Sequence, residues 1–294
     1  MPDRPGRLDG AAPGLLEMEQ MMQLTSNGID YHLTIHQQEG LPFLLLLHGF
    51  MGSSNAFSHL IEELTEFCNP VTVDLLGHGR TGGSRDPDRY RTPMQAGDLR
   101  QIIHFLDADA LFLHGYSMGG RLALQFAVAY PGYLDGLILE SANPGFEDQA
   151  EAEQRMAADE KRATEIEKNF GVFLDRWGEL SLFDSTAPVA EELLQTYSRI
   201  QRDQDPTYMA ASLRGFGTGS MPGVKGHLSS LPIPVLLIGG AEDKKYRAIL
   251  SEMHRLIPES SLNILDKTGH RVHIERPEEF VSTIRSFLTN NQSI

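Results

Sequence analysis

The stretch "LFLHGYSMGGRLALQFA", residues 111–127, decides how this chain folds. It begins with an apolar run, "LFLHG" (111–115), of the kind that forms a strand buried on both faces. It ends in a helical pattern, "RLALQFAVAY" (121–130). Between them, Gly115-Tyr116-Ser117-Met118-Gly119 fits G-x-S-x-G in the setting that motif requires: strand, sharp turn, helix. Such a turn holds its serine in a strained backbone conformation, and only glycine leaves room two residues before and after it. Ser117 is thereby expected to project above a sheet, with the first amides of the helix beneath any anion that forms there. Arg121, four places on, suggests that whatever reaches this serine is negatively charged.

Working outward, similar apolar runs recur: "FLLLL" (43–47), "VTVDLL" (71–76), "LDGLILES" (134–141), "PVLLIGG" (234–240) and "SLNILD" (261–266). Helical patterns alternate with them at 56–67, 96–108, 246–257 and 277–290. Strand–helix alternation predicts an α/β fold with a mostly parallel central sheet flanked by helices. Before it, "MQLTSNGIDYHLTIHQ" alternates on both sides of Ser26-Asn27-Gly28, which predicts an N-terminal hairpin. From about 145 to 225 the chain is charged, helical in pattern and free of strand signals. We therefore expect a flexible tail over 1–20, a core made of 21–144 and 226–294, and a helical cap inserted over 145–225. A cap so placed lies over the C-terminal edge of the sheet, where open α/β sheets bind ligands.

Composition excludes several functions. With 294 residues, 40% hydrophobic and 22% charged, the chain is ordinary globular protein. A net charge of -15 argues against nucleic acid or an anionic membrane surface as partner. Its one cysteine, Cys68, permits no internal disulfide, has no His or Cys cluster beside it and reads as structural. "FLLLL" is far short of the roughly 20 residues a membrane helix needs. The N-terminal stretch has no apolar region of signal-peptide type. A cytoplasmic, reducing location is the expectation, and oligomeric state stays open.

A serine hydroxyl becomes reactive only when a histidine takes its proton. After strand-to-helix elbows of this kind the partners follow in the order Ser, acid, His. "PVLLIGGAEDKKY" offers Asp243 after the Gly239-Gly240 turn, with Glu242 as the alternative. "LDKTGHRVHIERPEEF" offers His270 in the loop, with His273 as the alternative. His104 and His254 sit in helical patterns and read as exposed or structural. His48-Gly49 ends a strand, so the amide of Phe50 can complete an oxyanion hole with that of Met118. The glycines of "VDLLGHGRTGGS" form neither G-x-G-x-x-G nor a P-loop, so they give little support to nucleotide binding. Arg121, Arg155 and Arg214 are candidates for an anion site, because the guanidinium fork binds a carboxylate bidentately.

These landmarks, in this order from about residue 20 onward, resemble the α/β-hydrolase superfamily. Within it, "LHGFMGSS", "GYSMGGRLAL", "LILESANPG", "SLRGFGTG", "GHRVHIERP" and the spaced R, F, W and LF of 155–183 resemble the 2-succinyl-6-hydroxy-2,4-cyclohexadiene-1-carboxylate synthases of menaquinone biosynthesis. Arg271 departs from that pattern, which has a small residue there. The resemblance implies a lyase whose Ser117, His270 and Asp243 abstract a carbon-bound proton so that pyruvate leaves a small polycarboxylate. It implies that Arg121, Arg155 and Arg214 hold carboxylates while Tyr116 and Trp177 shape the pocket. No metal or organic cofactor is implied. Two other readings use the same residues: a serine hydrolase of a carboxylated ester, thioester or carbon–carbon bond, and a non-catalytic ligand-binding protein.

Overall fold

The apolar runs assemble into one eight-stranded sheet in the computed structural model, which describes residues 18–291. In chain order the strands are β1 (Met18–Ser26), β2 (Ile29–Gln37), β3 (Phe43–Leu47), β4 (Asn69–Val73), β5 (Leu111–Tyr116), β6 (Gly136–Glu140), β7 (Val235–Gly240) and β8 (Ser260–Leu265). Their spatial order is β1-β2-β4-β3-β5-β6-β7-β8. β1 and β2 form the expected antiparallel hairpin, and β2 joins β4 antiparallel. Every pairing from β4 across to β8 is parallel. The hairpin reaches back to Met18, which pairs with Gln37, so residues 18–20 are strand rather than tail. The remainder of the expected tail, 1–17, lies outside the described residues.

All five residues of β3 are buried, which explains its unbroken apolar sequence. Successive side chains of a strand point to opposite faces. Leu45 and Leu47 pack with α2 (Thr92–Leu106), α3 (Met118–Ala129) and α8 (Lys244–Leu256) on one face. Leu44 and Leu46 pack with α1 (Ile61–Thr65) and α10 (Pro277–Asn291) on the other. Cys68 is buried in this second layer, where its thiol donates to the carbonyl of Leu64, as a structural cysteine would. The run at 71–76 is strand only to Val73. The Asp74 amide still donates to the carbonyl of His32 in β2, while its carboxylate accepts from the amides of Ser54 and Arg80.

Between β6 and β7 come α4 (Gln149–Lys168), α5 (Phe170–Gly178), α6 (Glu191–Arg202) and α7 (Pro206–Phe216), with no strand among them. Three of them share a small core: Ala163 and Ile166 of α4 meet Phe173 of α5 and Met209, Ala210 and Leu213 of α7, while Tyr197 of α6 packs with Ala56 and Ile274. Met51 belongs to the first of these clusters, so the helical segment is seated on the loop after β3. Among the described residues no helix is long and apolar enough to cross a membrane.

Candidate active site

The turn between β5 and α3 holds Ser117 at φ 50° and ψ −105°, a conformation that costs a non-glycine residue on the order of 1–3 kcal/mol. The surrounding glycines are packing requirements. A Cβ on Gly115 would stand 2.6 Å from Gly120 Cα, and one on Gly120 would stand 2.6 Å from Ala142 Cβ. One on Gly119 would collide with the carbonyls of Leu47 and His48. The elbow is thus wedged against the end of β3, and the loop after β3 is brought beside the serine. Gly49 lies flat against the Tyr116 ring, and the position of a Cβ there would be 3.7 Å from Ser117 Cβ.

Two loops at the C-terminal ends of β7 and β8 deliver the partners. Asp243 caps the N-terminus of α8: one carboxylate oxygen accepts from the Tyr246 amide at 3.1 Å. The other oxygen lies 2.6 Å from His270 Nδ1. With Nδ1 facing a carboxylate, the proton sits there and Nε2 is free to accept. Ser117 Oγ lies 3.1 Å from that Nε2 and donates to it. Ser117, His270 and Asp243 therefore form one continuous hydrogen-bonded relay.

The alternatives are engaged elsewhere. Glu242 accepts from the amide and hydroxyl of Thr186. His273 is buried, donates from Nδ1 to Glu140 and takes the Tyr197 hydroxyl at Nε2, 2.9 Å away. His104 and His254 are exposed.

A cavity of about 760 Å³ opens above Ser117, within the range of small-molecule sites. Phe50, Met118, Tyr116, Trp177, Asp243 and His270 all line it. No backbone or side-chain acceptor among the described residues takes a hydrogen bond from the amide of Phe50 or Met118. Trp177 packs edge-on to Phe50 and stacks on Phe173, so the α5 aromatic cluster roofs the serine.

Comparisons with known proteins bear on the family and the fold. A family model described as "Alpha/beta hydrolase family" matches residues 44–283. The chain belongs to that family. It is 35% identical over 90% of its length, and 97% of the relative's, to a Bacillus subtilis protein provisionally named 2-succinyl-6-hydroxy-2,4-cyclohexadiene-1-carboxylate synthase. It is 27% identical to the synthase of that name from Serratia proteamaculans, covering 85% of this chain and 94% of the relative. The solved structure of MenH from S. aureus superposes with a TM-score of 0.84 at 32% identity, over 89% of this chain and 99% of that one.

In this alpha/beta hydrolase the three candidate arginines have different surroundings. Arg121 is 8% exposed and lines the cavity. It donates to the carbonyl of Phe216 at 3.0 Å, and its guanidinium lies 5.2 Å from that ring's centre. No carboxylate pairs with it among the described residues. Burial therefore lowers its pKa to about 10. Arg155 also lines the cavity, with its Nε 2.9 Å from Asp159, a buried acid shared with Arg162. Arg214 does not line it. Its guanidinium is engaged by Glu160 and Glu167 of α4 at 2.9 and 2.5 Å. The expected carboxylate-holding role thus fails geometrically at Arg214, because two acids of this chain already occupy the fork.

The cavity also contains residues to which the sequence analysis gave no role in the site. Arg162 stands seven places after Arg155, two turns on the same helix face, a spacing that could have been read from the sequence. Phe183, Tyr197, Tyr246 and Arg271 line it too. Phe183 and Tyr197 come from segments whose inward side is set only by how the helical segment is seated.

Proposed function

We propose that this protein is a carbon–oxygen lyase. It eliminates pyruvate from 2-succinyl-5-enolpyruvyl-6-hydroxy-3-cyclohexene-1-carboxylate to give 2-succinyl-6-hydroxy-2,4-cyclohexadiene-1-carboxylate, a step of menaquinone biosynthesis. The observation that carries this reading is Arg121: a buried guanidinium with no acid partner, in the same cavity as the serine relay. An enzyme for neutral esters has no use for that uncompensated charge, whereas a polycarboxylate supplies its counter-ion. The relatives named as synthases of this reaction add support over nearly the whole chain.

Ser117 passes its proton to His270 Nε2 and, as the base, takes the ring proton next to the succinyl carbonyl. The freed electron pair forms the 2,3 double bond, the 3,4 pair moves to 4,5, and the C5–O bond breaks. Asp243 fixes the imidazole and balances its charge while it holds the extra proton. That proton is returned to the departing enolpyruvate, which becomes pyruvate, so atoms and charge balance. The amides of Phe50 and Met118 stabilise the charge that builds on the succinyl oxygen. Arg121 and Arg155 hold carboxylates, while Tyr116 and Trp177 bound the ring. No water is consumed and no acyl-enzyme forms.

The test is incubation with the enolpyruvyl-cyclohexene precursor, following pyruvate and the absorbance of the conjugated diene together. Both appear in equal amounts, and Ser117→Ala lowers kcat by about a thousandfold or more. An acyl-enzyme burst with simple esters and no pyruvate from the precursor would instead make the protein a serine hydrolase. Tight binding of the precursor without turnover would make it a receptor.

A further inference from the structure

Arg271 follows His270 directly and has no place in the relay. Its guanidinium lines the same cavity, 5.1 Å from the ring centre of Phe183 and 5.7 Å from that of Tyr197. Its Nε is buried and has no hydrogen-bond partner. No carboxylate pairs with its side chain among the described residues. The acids around it have other work. Glu275 accepts from the amide of Gly269, from the backbone amide of Arg271 itself and from the Ser185 hydroxyl. Glu242 is held by Thr186 and Asp243 by His270, while Asp184 sits at the exposed rim.

Two aromatic faces fix a guanidinium while leaving its in-plane N–H groups available, which is the geometry a carboxylate reads. A partly buried cation whose Nε has no partner is stabilised by an anion that arrives with the ligand. Arg121 packs over a different ring, that of Phe216. We propose that Arg271 forms an anion subsite in addition to Arg121 and Arg155, beside His270, that selects ligands carrying more than one carboxylate. The proposal rests on the polycarboxylate reading of the cavity, and it does not need the elimination reaction.

The experiment is calorimetric titration of wild type, Arg271→Gln and Arg271→Lys with three aromatic keto acids. The dicarboxylate is 4-(2-carboxyphenyl)-4-oxobutanoate; 4-phenyl-4-oxobutanoate and 2-butanoylbenzoate each lack one of its carboxylates. Arg271→Gln is expected to weaken the dicarboxylate about tenfold, to weaken one monocarboxylate similarly and to leave the other unchanged. Arg271→Lys recovers part of the loss. Unchanged affinity for all three ligands, or an equal loss for all three, overturns the proposal. No turnover is involved, so a failed precursor assay would remove the reaction and leave this result standing.

Discussion

Arg121 is kept at the expense of stability. A buried guanidinium without an acid is a net cost, and replacing such a cation with an apolar chain of similar length is often neutral or stabilising by about 1–4 kcal/mol. Arg121→Met should therefore melt no lower than wild type, while KM for the precursor rises about tenfold or more. A fall in Tm with KM unchanged would make Arg121 a packing residue. The glycines around Ser117 behave in the opposite way. Gly115→Ala puts a methyl group on the Gly119–Gly120 backbone and should cost at least about 1–3 kcal/mol. Gly97→Ala, in α2 with nothing within 4 Å of the added carbon, should gain about 0.5–1 kcal/mol. Urea unfolding of the two variants side by side checks both signs. The elbow was legible in the sequence because its glycines are demanded locally. That Arg121 has no acid partner was not, because this depends on which acids the distant helices bring near.

At the scale of elements, the same contrast separates Arg121 from Arg214. Both lie on helices and both could have faced the cavity, but only the seating of α4 on α7 decides between them. Glu160 and Glu167 are seven places apart, so they share one face of α4 and clasp Arg214 from the same side. Their carboxyl pKa values lie below the ordinary range because of the Arg214 hydrogen bonds. The acids are largely exposed, so solvent screening keeps the stability effect within about 1 kcal/mol. Arg214→Ala is expected to speed hydrogen exchange in α4 without changing the sheet, and 0.5 M salt, roughly, should erase most of the difference. A rise in KM with α4 exchange unaltered would return Arg214 to the substrate. The strands, by contrast, were readable as apolar runs, although their ends shift: the run at 71–76 is strand over Asn69–Val73 and that at 134–141 over Gly136–Glu140. β3 and β7 are buried on both faces, and the β1–β2 hairpin carries its own Asn-Gly turn. Helix boundaries near the site were less legible: the run at 56–67 begins as a 3-10 turn over Ser54–Leu60 and becomes α-helix only for Ile61–Thr65.

For the whole molecule, the relevant feature is that three buried histidines are locked neutral. His48 donates from Nδ1 to the carbonyl of Gly49 and accepts the Leu75 amide at Nε2, so protonation breaks a bond. His78 donates to the carbonyl of Leu76, and its other nitrogen is buried without a partner. His114 donates to Glu140, and its second nitrogen is likewise unpartnered. Burial lowers all three pKa values, that of His78 to about 3. In the unfolded chain each titrates near 6.5, so below that pH the unfolded state binds more protons and stability falls as pH falls. The slope is about 1.4 kcal/mol per histidine per pH unit. Glu140 acts at lower pH. Burial alone would raise its pKa, but His273 and His114 outweigh burial and hold it at about 2, so its contribution is lost between its unfolded value and that point. An opposing effect comes from the net charge of -15, whose self-repulsion fades toward the pI of about 5.1. That repulsion is spread over the surface and is screened by salt, whereas the buried imidazoles are not. Urea unfolding at roughly 0.3 M salt should therefore show stability dropping from pH 7 to pH 5, and His78→Phe should remove about one histidine's share of the slope. A flat profile over that range would mean that these rings find room to protonate inside the folded protein.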